Sequence, residues 1–470
     1  MKQLRIVFSV LFVMGFGAAI HAQWVSPVDF MRNNPRSAFA NPATFTAEHG
    51  YFDMALGGIN FSVQNLGLKY DKFFRFNELG QPVVVDLNQG VDALLKKNYI
   101  NSNLGFDVFN CGRRTRHGFF TYSHRVRMVE AFRYNKDVLA LLMQGNGNYV
   151  GEDHPAELDL AVGARAWQEF NAGYQMCLTE KLNIGARVKF LIGAADARTN
   201  NVSSTLVTDP DSYALTLSGG FDARATVPYE IEYVDGHFQL KDGRFNVVNW
   251  FKNFGAGIDL GAEYQFNDAF GVGVAINDLG WIRWKQFPWQ VVGEVKDGGS
   301  LYHNGSIVFS GLTSEQVEGM IDDPDYLNRF LDSLSQYYDI SVQSLSGYTT
   351  GLNTSLMVRG YYDIDPSNRF IAQLAGYHNG LNMMPAFTLA YDGAFSDRFD
   401  VVASYTMMKG SYGNLGLGLS ANLGGLLLYV ASNNVLGFLD PVAASNLNFQ
   451  FGVSFTGGER KQRSERIVME

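Results

Sequence analysis

Past its first two dozen residues, this sequence has no long apolar run. The best later stretch, residues 423–431, has nine residues, two of them glycine, whereas a helix needs about 20 apolar residues to cross a bilayer. Membrane-spanning helices are therefore excluded beyond the N-terminus. Cysteine is nearly missing: Cys111 and Cys177 are the whole supply. One bridge between them is allowed, but a disulfide framework is not. Proline is sparse at 12 residues, and charged residues reach only 18%. Positive charge is in deficit, with 37 Lys and Arg against 46 Asp and Glu. The resulting net charge of −9 argues against a nucleic-acid partner, which would want a basic patch. The eight histidines do not cluster at metal-ligand spacing and no phosphate loop occurs, so no cofactor and no metal site is expected.

What is present begins with a targeting signal. Lys2 and Arg5 precede an uncharged, mostly apolar stretch from Ile6 to Ile20, and His21-Ala22-Gln23 offers a small residue at a cleavage point. That layout predicts a secretory signal peptide over residues 1–22. An exported chain without membrane helices can still enter a membrane as strands.

Composition and periodicity point that way. Glycine is abundant at 50 residues, and aromatics reach 14% with 36 Phe and 23 Tyr. From Phe254 to Phe266, the even positions carry Phe, Ala, Ile, Leu, Ala, Tyr and Phe, while the odd ones carry only Gly, Asp, Glu and Gln. Strict period two is usable only by a strand with one apolar face. Asn267-Asp268-Ala269 turns the chain, and Phe270, Val272, Val274 and Ile276 resume the apolar face. The same alternation recurs over 182–193, 354–363, 399–407, 415–423 and 447–455. Segments of about ten alternating residues separated by turns are the signature of a transmembrane β-barrel. Soluble sandwich strands average only about 5–6 residues, and no linker or shift in composition divides the chain. The predicted fold is all-β: a transmembrane antiparallel β-barrel of about fourteen strands over residues 51–456, with a few short loop helices. Residues 23–50 form an N-terminal segment, a candidate lumen plug, and residues 457–470 a charged periplasmic tail.

The loop helices are expected at Val91–Lys97, at Val138–Met143, and as a pair within 313–338. In that pair, Thr313-Ser314-Glu315-Gln316 reads as a capping box and Asp323-Pro324 opens the second helix. Trp281, Trp284 and Trp289, near a strand end, fit an interfacial aromatic girdle.

Three pairs could suggest hydrolysis, and each has a plainer explanation. Asp322-Asp323 sits at a helix junction, where Asp323 caps. Asp153-His154 lies in a polar turn before Pro155. Ser123 and His124 are strand neighbours pointing to opposite faces. No catalytic residue is assigned, and the chain is not expected to be an enzyme.

Ala40-Asn41-Pro42-Ala43, just inside the mature start and ahead of a glycine-rich barrel, resembles the long-chain fatty-acid transporter (FadL) superfamily of outer-membrane proteins, which includes PorV of the type IX secretion system. Asn277-Asp278-Leu279-Gly280-Trp281-Ile282-Arg283-Trp284 resembles a motif of an uncharacterised Bacteroidetes family of outer-membrane barrels, as does the helix from Lys136 to Met143 leading to Gly145-Asn146-Gly147. The resemblance spans essentially the whole mature chain. It implies the outer membrane of a Gram-negative bacterium, an N-terminal segment in or near the lumen, and no particular substrate. Outer-membrane lipid and the barrel-assembly machinery are the implied partners, with Phe455 as an internal version of the usual C-terminal aromatic signal.

Two functional classes follow. The first is a conduit for small, hydrophobic molecules. The second is a PorV-like scaffold that binds exported or surface proteins through its loops or the 313–338 helices. Lumen-facing Asn41, Arg187, Lys189, Asp259, Glu263, Arg359 and Asp363 are the candidate ligand-contacting residues; their plainer reading is a mutually neutralising polar lining. Pro42 fixes φ and pushes Asn41 out of helix, so the Asn-Pro pair is expected to act as an elbow that aims the N-terminal segment.

Overall fold

The computed structural model describes residues 25–457, except 33, 45–51, 69, 77–81, 213–214, 235–236, 241–250, 296–337, 379, 397 and 442–443. The signal peptide, the charged tail past Gly457 and the 313–338 helix pair as far as residue 337 lie outside the described residues. Tyr338, expected to end that pair, instead opens a strand, Tyr338–Ser344.

Fourteen antiparallel strands close into a barrel. They are β1 (Phe52–Leu66), β2 (Lys97–Arg114), β3 (Gly118–Asn135), β4 (Leu160–Cys177), β5 (Leu182–Thr208), β6 (Phe254–Gln265), β7 (Phe270–Trp284), β8 (Ser355–Asp365), β9 (Asn368–His378), β10 (Met383–Ser396), β11 (Phe399–Met408), β12 (Ser411–Leu423), β13 (Leu426–Ser432) and β14 (Asn446–Gly457). Each pairs with its neighbours in sequence, and β14 pairs back onto β1 from Phe52 opposite Gly457 to Gln64 opposite Asn446. Closure leaves the barrel wall no free edge.

The alternation seen in the sequence sorts the two faces. Val188, Phe190, Leu260, Tyr264, Val274, Leu356, Val358, Leu417, Leu419, Phe451 and Phe455 are exposed on the outside. Between them Arg187, Lys189, Asp259, Arg359, Ser420, Gln450 and Ser454 are buried inside. A soluble protein has the opposite arrangement, because its apolar groups gain by leaving water.

The two ends of the barrel differ. Six turns of two to four residues join β2 to β3, β4 to β5, β6 to β7, β8 to β9, β10 to β11 and β12 to β13, all at one end, where β1 begins and β14 finishes. The long connections collect at the other end. There β5 continues far past the wall. Its first half pairs with β6 and its last half, from Asp196, with Leu215–Thr226. Pro288–Val295 and Tyr338–Ser344 extend that projecting sheet. Val91, Ala140, Ala156, Leu206 and Leu217 give it a separate apolar cluster.

Several expectations need correcting here. The helix placed at Val91–Lys97 runs instead over Leu87–Asp92, because the Asp86 side chain accepts the Gln89 N–H and sets the start earlier. Lys97 already begins β2. The later helix is present, over Lys136–Gln144. Not every strand lies in the barrel wall: Leu215–Thr226 and Pro288–Val295 belong to the projecting sheet. Cys111 and Cys177 form no disulfide with each other. They sit on β2 and β4 with β3 between them, and the register sets Cys111 level with Ala172, five residues from Cys177. Two strand spacings across and five residues along put them roughly 19 Å apart, beyond disulfide reach.

Candidate functional site

Residues 25–32 and 34–44 occupy the barrel interior. Pro27–Phe30 and Pro35–Phe39 are short 3-10 turns, and Ser26 and Asp29 cap the first reciprocally. Their side chains reach walls all round the ring. Ser26 Oγ donates to Gln450 Oε1 on β14 at 2.7 Å. Arg32 donates to Asp392 Oδ2 on β10 at 2.6 Å and to the carbonyls of Pro366 and Ser367 in the β8–β9 turn. Arg36 pairs with Asp107 on β2. The Phe39 ring lies under two wall guanidiniums, with Arg125 at 4.3 Å and Arg187 at 4.7 Å from its centroid.

Asn41 is fully buried. Its Oδ1 accepts the Ala43 N–H at 2.9 Å, closing the turn across Pro42, and its Nδ2 donates to Glu263 Oε1 at 3.3 Å. Thr44 Oγ1 donates to the same oxygen at 2.8 Å. The turn rests on bare backbone, since a Cβ at Gly185 would overlap the Pro42 carbonyl and one at Gly261 the Asn41 side chain. These glycines on β5 and β6 let the elbow approach the wall. Replacing Gly261 with Val should expel the turn at a cost of about 1–3 kcal/mol. Limited proteolysis would then cut within residues 25–44 faster than in the wild type, and unchanged protection would show that the elbow sits elsewhere.

Above the elbow, buried charges form a chain. Arg187 Nη1 pairs with Asp259 at 3.0 Å and Nη2 donates to the Ala38 carbonyl at 2.7 Å. Lys189 bridges Asp259 at 2.8 Å and Asp278 at 2.5 Å. Asp278 holds Arg127 at 2.9 Å, Arg127 reaches Glu169 at 3.5 Å, and Glu169 holds Arg125 at 3.1 Å. Arg125 then meets Asp107 at 2.9 Å, which leads back to Arg36.

Of the candidate residues, Arg187, Lys189 and Asp259 thus join one network, and Asn41 and Glu263 join each other at its edge. Arg359 stands apart on β8. Asp363 pairs instead with Arg369, at 2.6 Å.

The sequence reading passed over Asp278, Arg127, Glu169 and Asp107. Asp278 had a visible signal. Apolar alternation stops at Ile276 and resumes out of phase at Leu279, and the structure places a bulge there, with Asp278 at φ 57° and the β6–β7 register shifted. Because a bulge inserts one residue, Asn277 and Asp278 both face inward. Asn277 donates to the Ala40 carbonyl at 2.8 Å while the Asp278 N–H donates to Asp259 Oδ1 at 2.7 Å. The shifted phase also corrects the girdle assignment. Trp281 faces outward, but Trp284 is fully buried inside. It packs with Trp167, Leu191, Ile282, Tyr348 and Leu352 as an apolar layer within the lumen. Ser123 and His124 take opposite faces, Ser123 accepting from Asn171 inside and His124 stacking on Phe170 outside.

A family model described as a family of unknown function (DUF5723) matches residues 42–433, most of the barrel and the elbow's proline. The chain belongs to that family. No curated protein matches it. Solved structures similar to it include a deletion mutant of the monoaromatic hydrocarbon channel TodX, at TM-score 0.44 and 9% identity over 91% of this chain and 95% of that one. The toluene transporter TbuX of Ralstonia pickettii is similar at TM-score 0.40 and 10% identity, covering 94% and 97%. A FadL homologue of Pseudomonas aeruginosa is similar at 0.31 and 10%, covering 93% and 100%. Identities this low carry nothing about cargo to this DUF5723 member.

Proposed function

We propose that this DUF5723 protein is an outer-membrane barrel and a conduit for small, hydrophobic molecules, gated by its own N-terminal segment. The observation that carries the reading is the apolar layer of Trp167, Leu191, Ile282, Trp284, Tyr348 and Leu352 inside the lumen, separate from the apolar cluster that the N-terminal segment makes with the wall. An apolar solute crossing the lumen would find its favourable contacts there, while the charged chain and residues 25–44 close the opposite half. The candidate residues Arg187, Lys189, Asp259 and Glu263 act in this reading by holding the segment, not by binding cargo.

Flux of a small apolar solute into liposomes, with and without the protein, tests the conduit. A sealed barrel that co-purifies with exported proteins would support the scaffold reading instead. The ordered projecting sheet with its own apolar cluster is the feature that favours that alternative.

The membrane placement has its own test. Val188 is exposed on the outer face, six residues from the β4–β5 turn. Arginine there should cost about 2–4 kcal/mol in a bilayer, as it does near the midplane of barrels. The same substitution would be near neutral if water, not lipid, surrounded the wall. Urea unfolding of folded barrels in lipid vesicles separates the two outcomes.

A further inference from the structure

Buried positive charge on the inward faces is paired everywhere described except at one residue. Arg127, Arg165, Arg187, Lys189 and Arg359 each keep less than a tenth of their surface exposed. The first four hold a carboxylate at 3.0 Å or closer. Arg359, 6% exposed, has no ion pair among the described residues. Its Nε donates to Gln373 Oε1 at 2.9 Å and its Nη2 approaches Met357 Sδ at 3.5 Å. A guanidinium has five N–H donors, so three remain, two of them on Nη1. The Phe30 ring of the N-terminal segment covers the group from 5.0 Å.

The surrounding acids are committed elsewhere. Asp363 serves Arg369 and Asp392 serves Arg32. Glu263 spends its hydrogen bonds on the neutral Asn41 and Thr44, and its charge acts on Arg359 only from a distance. Asp29, next to Phe30, accepts the Ser26 N–H at 2.9 Å, and burial pushes its carboxyl toward the neutral form against the pull of that bond and of Arg359. The other charge acting on it is Arg369, also positive, and the covering Phe30 belongs to an apolar cluster with Val28, Met31, Tyr361 and Ile371. A buried cation in such a setting is costly unless an anion neutralises it.

We propose that Arg359 binds one small monovalent anion, with chloride the expected occupant, held between the β8 wall and the Phe30 turn of the N-terminal segment. The anion accepts the spare N–H groups and cancels the charge that Gln373 and Met357 cannot. Its compact size follows from the enclosure by Phe30, Met357 and Gln373. Because Phe30 forms one side of the site, bound anion also fastens residues 25–44 to the wall.

Two readouts test this on the full-length barrel in detergent micelles. Crystals soaked in sodium bromide should show an anomalous scattering peak beside Arg359 Nη1, and a soaked crystal with no peak there would overturn the proposal. At constant ionic strength, replacing the bulkier gluconate with chloride should raise the unfolding temperature of the wild type and leave that of Arg359→Gln unchanged. An equal rise in both proteins would show a general salt effect and sink the idea. Should Arg359→Gln fail to assemble, the bromide peak in the wild type decides by itself. Neither readout depends on transport, so the site stands or falls apart from the conduit reading.

Discussion

Asp259→Ala should destabilise the barrel by about 3–5 kcal/mol, the usual cost of removing one partner from a buried ion pair. Asp259 is fully buried and serves Arg187, Lys189 and the Asp278 N–H together. Without it, Lys189 keeps Asp278, but Arg187 keeps no carboxylate, only the Ala38 carbonyl and the Phe39 ring. Urea unfolding of protein folded into lipid vesicles, followed by tryptophan fluorescence, reads the loss directly. Trp167 is a suitable reporter, since it packs under Arg127 in the same charge chain. The double variant Arg187→Met with Asp259→Leu provides the contrast. Exchanging a whole buried pair for apolar side chains is often neutral or better, so it should recover much of the stability lost by the single change. Unfolding of Asp259→Ala at the wild-type urea concentration would show that the chain of charges is not structural.

The second large effect concerns the seal. Deleting residues 25–44 removes every contact by which the interior segment spans the ring, from Ser26 on β14 to Arg36 on β2 and Asn41 on β6. Single-barrel conductance in planar bilayers should then rise by roughly an order of magnitude, because pore width and lining govern conduction. The segment carries Arg32 and Arg36 against Asp29, so its loss removes one net positive charge and takes those partners from Asp392 and Asp107, biasing the open path toward cations. A deletion variant with wild-type conductance would instead assign the seal to the Trp167–Trp284 layer. Adding Trp284→Ala to the deletion would then open the barrel.

How much could be foreseen varies with the kind of interaction. Barrel, strand number and facing came from two-residue alternation, as with Leu415, Leu417 and Leu419 outside and Ser420 inside. That pattern is local: a strand with one lipid-like face needs no knowledge of its partners. The Asn41-Pro42 elbow was legible as a turn for the same reason, since Pro42 restricts its own φ and that of its neighbour. Arg187, Lys189 and Asp259 could be placed inward but not paired, because pairing depends on which strands adjoin. The Arg127–Asp278 contact joins residues 151 positions apart, on strands that do not pair with each other.

What the amino-acid order determines by itself here is therefore the strand, its two faces, the helix beginning at Lys136 and the rigid elbow. Tertiary structure alone decides that the elbow lies on Gly185 and Gly261, and that Phe39 meets two guanidiniums. It likewise decides that Trp284 belongs to an inner layer and not to a girdle. The physical reason is that one inserted residue at Asp278 reverses the phase of everything after it on β7, and that closing the ring brings together charges that no spacing in the sequence relates.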